Sequence, residues 1–303
     1  MPGATVGHIR KRELAEVIAM WKDSFRGELG VRGMDLGDIE PVFRFLLSLR
    51  RAPLSLLHRL GVPVEIWVLR MGGKPVGSVG QIGYRIPYII GLVVEEGKRG
   101  LRSVRLIDQG ISEGLRRAGY GLMRALVPHG HPIARLGMKL GWEVLGNTRQ
   151  FVLPLGRTAP GGGAIGDGVH PLSFREESRL ARGFAAAGDV RALLAVERNY
   201  GSPWARLFGF RERVLVVRRG GGPTGVVRIS WNAYQPVCFM GIPHPGDEHT
   251  YRALLAYAIG FLARLGKAEL HLDVWEEQAG ALRCLRRLGA EERGRWIYMI
   301  KRL

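Results

Sequence analysis

Two cysteines in 303 residues, Cys238 and Cys284, supply neither a disulfide framework nor the paired spacing of a zinc motif. Lysine is also scarce, at seven positions, so the basic load is nearly all arginine. Acidic side chains are outnumbered, 27 Asp and Glu against 45 Lys and Arg, which leaves a formal charge of +18. Long apolar runs are missing. The best stretch, residues 253–263, falls short of the roughly 20 residues a membrane-spanning helix needs and has Arg252 and Arg264 on either side. The opening MPGATVGHIRKRELA has no apolar signal region. These absences exclude a disulfide scaffold and a helical membrane protein, and they set the expectation of a cytoplasmic protein with no membrane partner.

Hydrophobic content is 46%, enough for each half of the chain to bury its own core. A strongly basic surface attracts nucleic acid, phosphorylated cofactors and acidic membranes. The arginine skew is equally a compositional habit, and no basic run with interleaved aromatics argues for nucleic acid beyond net charge.

Periodicity predicts a helix over 9–26, with Ile9, Leu14, Val17, Ile18, Trp21 and Phe25 at helical spacing and Gly27, Gly30 and Gly33 ending it. A second helix is expected over 37–50. A hairpin of strands 64–70 and 75–82 turns at Gly72-Gly73, and an apolar strand follows at 88–94. The turn Glu95-Glu96-Gly97-Lys98-Arg99-Gly100 leads into a helix with Val104, Ile107, Ile111, Leu115 and Ala118 on one stripe. Gly110 and Gly114 share a face of that helix, which implies close packing on a sheet. A strand at 120–127, a short helix ending in Lys139-Leu140-Gly141-Trp142 and two closing strands complete the half.

Residues 156–168, GRTAPGGGAIGDG, read as a linker. Beyond it the chain repeats. At an offset of 148, Arg70, Gly72, Gly73, Pro75, Gly77 and Val79 fall on Arg218, Gly220, Gly221, Pro223, Gly225 and Val227. Leu140, Gly141 and Glu143 fall on Leu288, Gly289 and Glu291, and Gly119 falls on Gly266 at 147. Such a constant offset marks two copies of one domain, 1–155 and 169–303, the first better preserved. The first helix is the least well matched, with Arg175 to Ala187 as its candidate in the second copy.

This order of elements, with the strand at 88–94, its basic turn and helix, and the K-L-G-W and R-L-G-A segments, resembles the GNAT acyltransferase superfamily in tandem form. The resemblance implies an α/β (α+β) fold: two GNAT-like acyl-CoA N-acyltransferase domains, each a mixed, mostly antiparallel sheet flanked by helices. It implies acetyl-CoA or another acyl-CoA as co-substrate and a small-molecule or peptide amine as acceptor. In that family a turn of type R-G-x-G-x-G/A holds the pyrophosphate on backbone amides. The matching residues here are Arg99, Gly100, Leu101, Arg102, Ser103 and Val104, with Val94 at the strand end. Arg99 and Gly100 fit, while Arg102 and Val104 replace small residues. The second copy has Gly246, Asp247, Glu248, His249, Thr250 and Tyr251 there, with acids where diphosphate would sit. The family's general-acid tyrosine is matched by Gly137 and Leu285.

Glu95 and Glu96 follow the strand that lines the acyl site in that fold, so either could take a proton from an amine. His131, with His129, follows the fifth strand and is a second candidate base. His244, Asp247, Glu248, His249, His271 and Asp273 have metal-ligand chemistry but match no metal motif, and no metal is expected. Cys284 is a nucleophile candidate whose ordinary role is packing. Three readings stay open: an acyl-CoA N-acyltransferase with its donor in the first copy; a non-catalytic binding protein; and an acyltransferase using a carrier protein or aminoacyl-tRNA. The state of the opening between the strands at 88–94 and 120–127 discriminates among them.

Overall fold

The computed structural model describes residues 3–31, 64–83, 86–156, 168–197, 206, 209–219, 222–244 and 247–303. The helix expected over 37–50 and most of the 156–168 linker lie outside the described residues. The chain forms two compact units: Met1–Leu145 with Ile297–Leu303, and Gly146–Trp296.

In unit 1, β1 (Ala4–His8) precedes a short 3₁₀ turn and α1 (Leu14–Val31). Sequence periodicity anticipated the helix but not β1, which is too short to show alternation. The helix also runs through Gly27 and Gly30 rather than stopping at them. Its Leu14, Val17, Ile18 and Trp21 pack on Ile66, Val68 and Val93, so tertiary burial outweighs a propensity cost of about 1 kcal/mol per glycine. The hairpin β2 (Val64–Met71) and β3 (Lys74–Ile82) forms as expected, with both turn glycines at positive φ. Then come β4 (Tyr88–Val94), α2 (Leu101–Arg117), β5 (Leu122–Pro128) and α3 (Pro132–Lys139). The face of α2 carrying Ile107, Ile111 and Leu115 buries against Trp67, Leu69 and Val79. A Cβ on Gly110 would lie 2.5 Å from Val6, and one on Gly114 would lie 2.1 Å from Trp67. Those two glycines are what lets the helix sit down on β1 and β2.

Where two closing strands were expected, one runs, β6 (Glu143–Pro154). Its residues from 146 onward belong to unit 2. Unit 2 continues with β7 (Val169–Pro171), α4 (Phe174–Ala187), α5 (Val190–Val196), β8 (Phe210–Arg219), β9 (Gly222–Asn232), β10 (Val237–Met240), α6 (Glu248–Arg264), β11 (Glu269–Trp275) and α7 (Ala279–Arg287). The final strand, β12 (Glu291–Arg302), returns to unit 1 from Ile297. Strand order is β1-β2-β3-β4-β5-β12 in unit 1 and β6-β11-β10-β9-β8-β7 in unit 2. In unit 1 β1 to β4 pair antiparallel and β4 with β5 parallel; in unit 2 β6 with β11 and the run β10-β9-β8-β7 pair antiparallel, and β10 with β11 parallel. The units therefore differ from the sequence segments 1–155 and 169–303 at one point: each closing strand comes from the other repeat. Each of the two strands follows an L-G-x-E segment at the repeat offset of 148, so each stands at the same place in its own copy.

The copies agree in detail. Both hairpins carry an irregularity at the same repeat position, between Leu69 and Arg70 and between Val217 and Arg218. The second-copy partner of α1 is α4, at the segment proposed for it.

Candidate functional site

The strand β4 is made of apolar residues, mostly β-branched, around one glycine, YIIGLVV. Gly91 adopts φ +62°, and between the β3 partners Ser78 and Gly80 the β4 register advances from Val93 to Ile90. This bulge bends the strand. Pairing with β5 holds only at Tyr88 with Arg124 and Ile89 with Ala125. Residues 90–94 have no β5 partner, so the two parallel strands part beyond Ile89 and leave a wedge on the Val94 side.

At the wide end the chain turns into α2. The Glu95 amide donates to the Val76 carbonyl at 2.8 Å, and Glu96–Lys98 form a 3₁₀ turn. Arg99 Nε donates to the Val94 carbonyl at 3.1 Å, and Ser103 Oγ donates to the Lys98 carbonyl at 2.7 Å. These bonds fix the turn from both sides. Gly100 is the helix N-cap at φ +153°, with no side-chain cap and nothing within 4 Å of where a Cβ would stand. The first helical bond is Val104 N–H to the Gly100 carbonyl. The amides of Leu101, Arg102 and Ser103 thus precede any intrahelical acceptor and lie at the positive end of a 17-residue helix, with Arg102 exposed, Leu101 half-buried and Ser103 buried. Lys98, Arg99 and Arg102 are exposed around them. Uncapped amides, an open glycine and three cations suit a diphosphate. Val104 is half-buried on the helix rather than exposed at the turn.

Glu95 and Glu96 are exposed beside the same turn. His131 is not in the wedge wall as a free base: it is the N-cap of α3, and its Nδ1 accepts from the Ile133 amide at 3.2 Å. His129 is exposed one turn earlier. Gly137 packs close to the Met299 methyl, 3.2 Å from where its Cβ would be, and offers no acidic hydrogen.

Sequence reasoning missed two polar residues at the narrow end. Arg124 is buried, donates to Tyr298 Oη at 2.8 Å and lies 5.3 Å over the Tyr88 ring. A lone arginine inside the apolar strand LMRALVP was the available signal. Behind α2, Asp108 accepts from Trp142 Nε1 at 2.8 Å and from Lys301 Nζ at 2.5 Å, which locks the helix to the closing strands.

The corresponding places in unit 2 have other chemistry. Asp247 caps α6, its carboxylate accepting from the Thr250 amide at 2.9 Å. Glu248 pairs with Arg283 at 2.8 Å, and His244 with Asp189 at 3.3 Å. His271 sits by Glu269 Oε2 at 3.2 Å; burial lowers its pKa although Glu269 works the other way. These side chains go to separate roles, and among the described residues no three His, Cys, Asp or Glu converge as a metal set. Burial raises the thiol pKa of Cys284 and pushes Cys238 up to about 12, so neither is an activated nucleophile. No helix among the described residues is long and apolar enough to cross a membrane.

No family model matches this sequence, and no curated protein matches it significantly. Solved structures do match over the whole chain. A tandem GNAT protein from the clavulanic acid biosynthesis pathway aligns with 99% of this chain and 98% of its own at a TM-score of 0.51 and 18% identity. A putative acetyltransferase from Pyrococcus horikoshii covers 100% and 90% at 0.58 and 13%. A GCN5-related N-acetyltransferase from Sphaerobacter thermophilus covers 99% and 95% at 0.54 and 14%. The chain has the tandem GNAT fold: a mixed, mostly antiparallel arrangement of strands flanked by helices.

Proposed function

We propose that this tandem GNAT-fold chain is an acyl-CoA-dependent N-acyltransferase that holds its donor in the N-terminal unit. The observation that carries this reading is the contrast between two helix N-termini. That of α2 is uncapped, glycine-entered and ringed by Lys98, Arg99 and Arg102, while that of α6 is occupied by the carboxylate of Asp247. An incoming diphosphate meets free amides at the first and like charge at the second.

In this reading the amides of Leu101, Arg102 and Ser103 and the Arg99 guanidinium take the diphosphate. The β4 edge over residues 90–94, which β5 leaves unpaired, offers backbone groups to an extended acyl arm. Acyl-CoA supplies the activated thioester. Glu95 or Glu96 takes the proton of the acceptor amine, directly or through one water. With glycine at position 137, positioning carries more of the rate than proton donation does, and Tyr88 and Tyr298, both in contact with Arg124 at the narrow end of the wedge, are the phenols to test.

The experiment is calorimetric titration of the full chain with acetyl-CoA. Binding that weakens at least about tenfold in Arg99→Glu supports the reading. Absence of heat and of a thermal shift at millimolar ligand overturns it. The replacement of the tyrosine position by Gly137 favours a second reading, donor binding without transfer. Release of free thiol from acetyl-CoA in the presence of a panel of amines separates the two.

A further inference from the structure

Unit 2 contains an open cleft of about 530 Å³ beyond the paired length of β10 and β11. Its walls are Pro243 and His244 after β10, Glu248 at the start of α6, Trp275 at the end of β11, and Glu277 to Gly280 with Arg283 at the start of α7; Arg191 of α5 closes one side. The volume lies within the usual range for small-molecule sites, about 300–1,000 Å³.

The internal repeat shows what this cleft is. At the offset of 147 that holds at the two helix starts, Glu248 matches Leu101 and Gln278 matches His131; at 148, His244 matches Glu96 and Arg283 matches Arg135. The helix starts and caps obey the same offset: Gly100 with Asp247, His131 with Gln278. The cleft therefore occupies, in the second copy, the place of the first copy's wedge. Its walls have changed. Leucine has become glutamate, histidine has become glutamine, and Gly280 leaves room for Glu248. A Cβ on Gly280 would lie 2.6 Å from the Glu248 Cβ.

The charges of the cleft come in matched pairs. Arg191 Nη1 bonds Glu277 at 2.5 Å, and Arg283 Nη2 bonds Glu248 at 2.8 Å. All four side chains are at least 36% exposed, so opening either pair costs little. Trp275, under Arg191 at 4.5 Å, holds that guanidinium in place. Gln278, the N-cap of α7, makes no capping bond, and its buried Oε1 has no hydrogen-bond partner. A dianion would strand two glutamates here, and a dication two arginines. A molecule with one ammonium and one carboxylate can exchange with a pair and leave no charge unmatched.

We propose that this cleft is a binding site for a free α-amino acid, whose carboxylate takes one arginine and whose ammonium takes one glutamate and the Gln278 oxygen. The proposal stands on unit 2 alone and does not depend on how unit 1 handles acyl-CoA. Its test is a thermal-shift screen of the full chain against each protein amino acid, followed by calorimetry on those that shift. Acetate and ethylamine serve as single-charge controls. The expected result is heat with at least one amino acid, weakened about tenfold or more in both Arg283→Leu and Glu277→Gln, with neither control matching it. Both side chains are exposed, so the variants fold, and an acetyl-CoA titration on each reports unit 1 separately. Silence from every amino acid overturns the proposal. So does binding that both substitutions leave unchanged, or acetate binding as tightly as any amino acid. Loss of acetyl-CoA affinity in Arg283→Leu but not in Arg99→Glu also overturns it, because the cleft would then be the donor site.

Discussion

Glu13 and Arg70 form a buried double hydrogen bond, Nε to Oε1 at 2.7 Å and Nη2 to Oε2 at 2.6 Å, with both residues 4% exposed. The same glutamate accepts the Arg10 amide at 2.7 Å, three residues upstream. Unit 2 repeats the device on its surface: Glu176 accepts the Ser173 amide at 2.9 Å and pairs with Arg218 at 3.0 Å. Arg70 and Arg218 are related by the repeat offset of 148, so one glutamate–arginine pair ties each first helix to its hairpin.

Removing a buried partner strands the other charge. Glu13→Ala is expected to cost about 3–5 kcal/mol, because Arg70 is left buried and unpaired. Glu176→Ala loses an exposed pair and part of a cap, and its effect is expected to be much the smaller. Denaturant melts of the two variants against the parent check the order, and a larger loss for Glu176→Ala would contradict it.

Burial works to raise the Glu13 pKa, but hydrogen bonds from Arg70 and the Arg10 amide, with the arginine charges, hold it below the ordinary value of 4.5. The folded state therefore binds this proton less readily than the unfolded chain. The stabilisation is present above the ordinary carboxylate range and is lost as pH falls through the depressed value. Glu13→Gln should flatten the acid limb of a stability–pH curve between pH 7 and pH 3, roughly the range where such a carboxylate titrates. An unchanged limb would show that the pair does not titrate as described.

At Gly114 a methyl group would enter the Trp67 ring at 2.1 Å. Gly114→Ala is expected to destabilise by about 1–3 kcal/mol even though alanine is the better helix former. At exposed Gly121, which has nothing within 4 Å, the same substitution is expected to be nearly neutral. Paired thermal melts decide the matter.

Gly100→Val puts a branched side chain at φ +153° in front of the uncapped amides of α2. Acetyl-CoA affinity should fall by about tenfold or more, and the strain of a branched residue at that φ should also lower the melting temperature. Full affinity in this variant would remove the turn from the donor site.

Unit 1 takes its last strand from Ile297–Leu303, and the Leu303 amide donates to the Gly121 carbonyl. A chain ended after Trp296 should lose unit 1 first. Hydrogen exchange should show β5 and α2 losing protection while the α6–β11 core keeps it. Uniform loss across both units would contradict that assignment.

The repeat was legible because hairpin glycines, strand ends and the L-G-x-E segments carry turn and boundary chemistry that fixes spacing. The fold class followed from element order. The first helix of the second copy was nearly silent by identity. What relates α1 to α4 is a capping glutamate and its arginine partner, a three-dimensional relation with little trace in aligned letters. Strand β1 and the single strand β6 were missed for a similar reason. A five-residue strand and a strand running through Gly146 have no local signature, and neighbours decide them. In the candidate site, Arg99 and Gly100 were readable from the turn. Arg124, Tyr298 and Gln278 were not, because their significance depends on which strands part and where a cleft forms.

Local spacing, turn glycines and apolar periodicity in the sequence determine two copies of one mixed domain, since these act over a few residues and survive divergence. The sequence also sets which helix start is basic and which is acidic. The tertiary structure alone decides which strand closes which sheet, because both candidates stand at the same place in their own copies and only pairing distinguishes them. It alone decides that His131 is a cap, that Gly137 is filled by Met299, and that Arg191 meets Glu277 across a cleft. Those outcomes rest on contacts between residues far apart in the chain, and no window of sequence contains both partners.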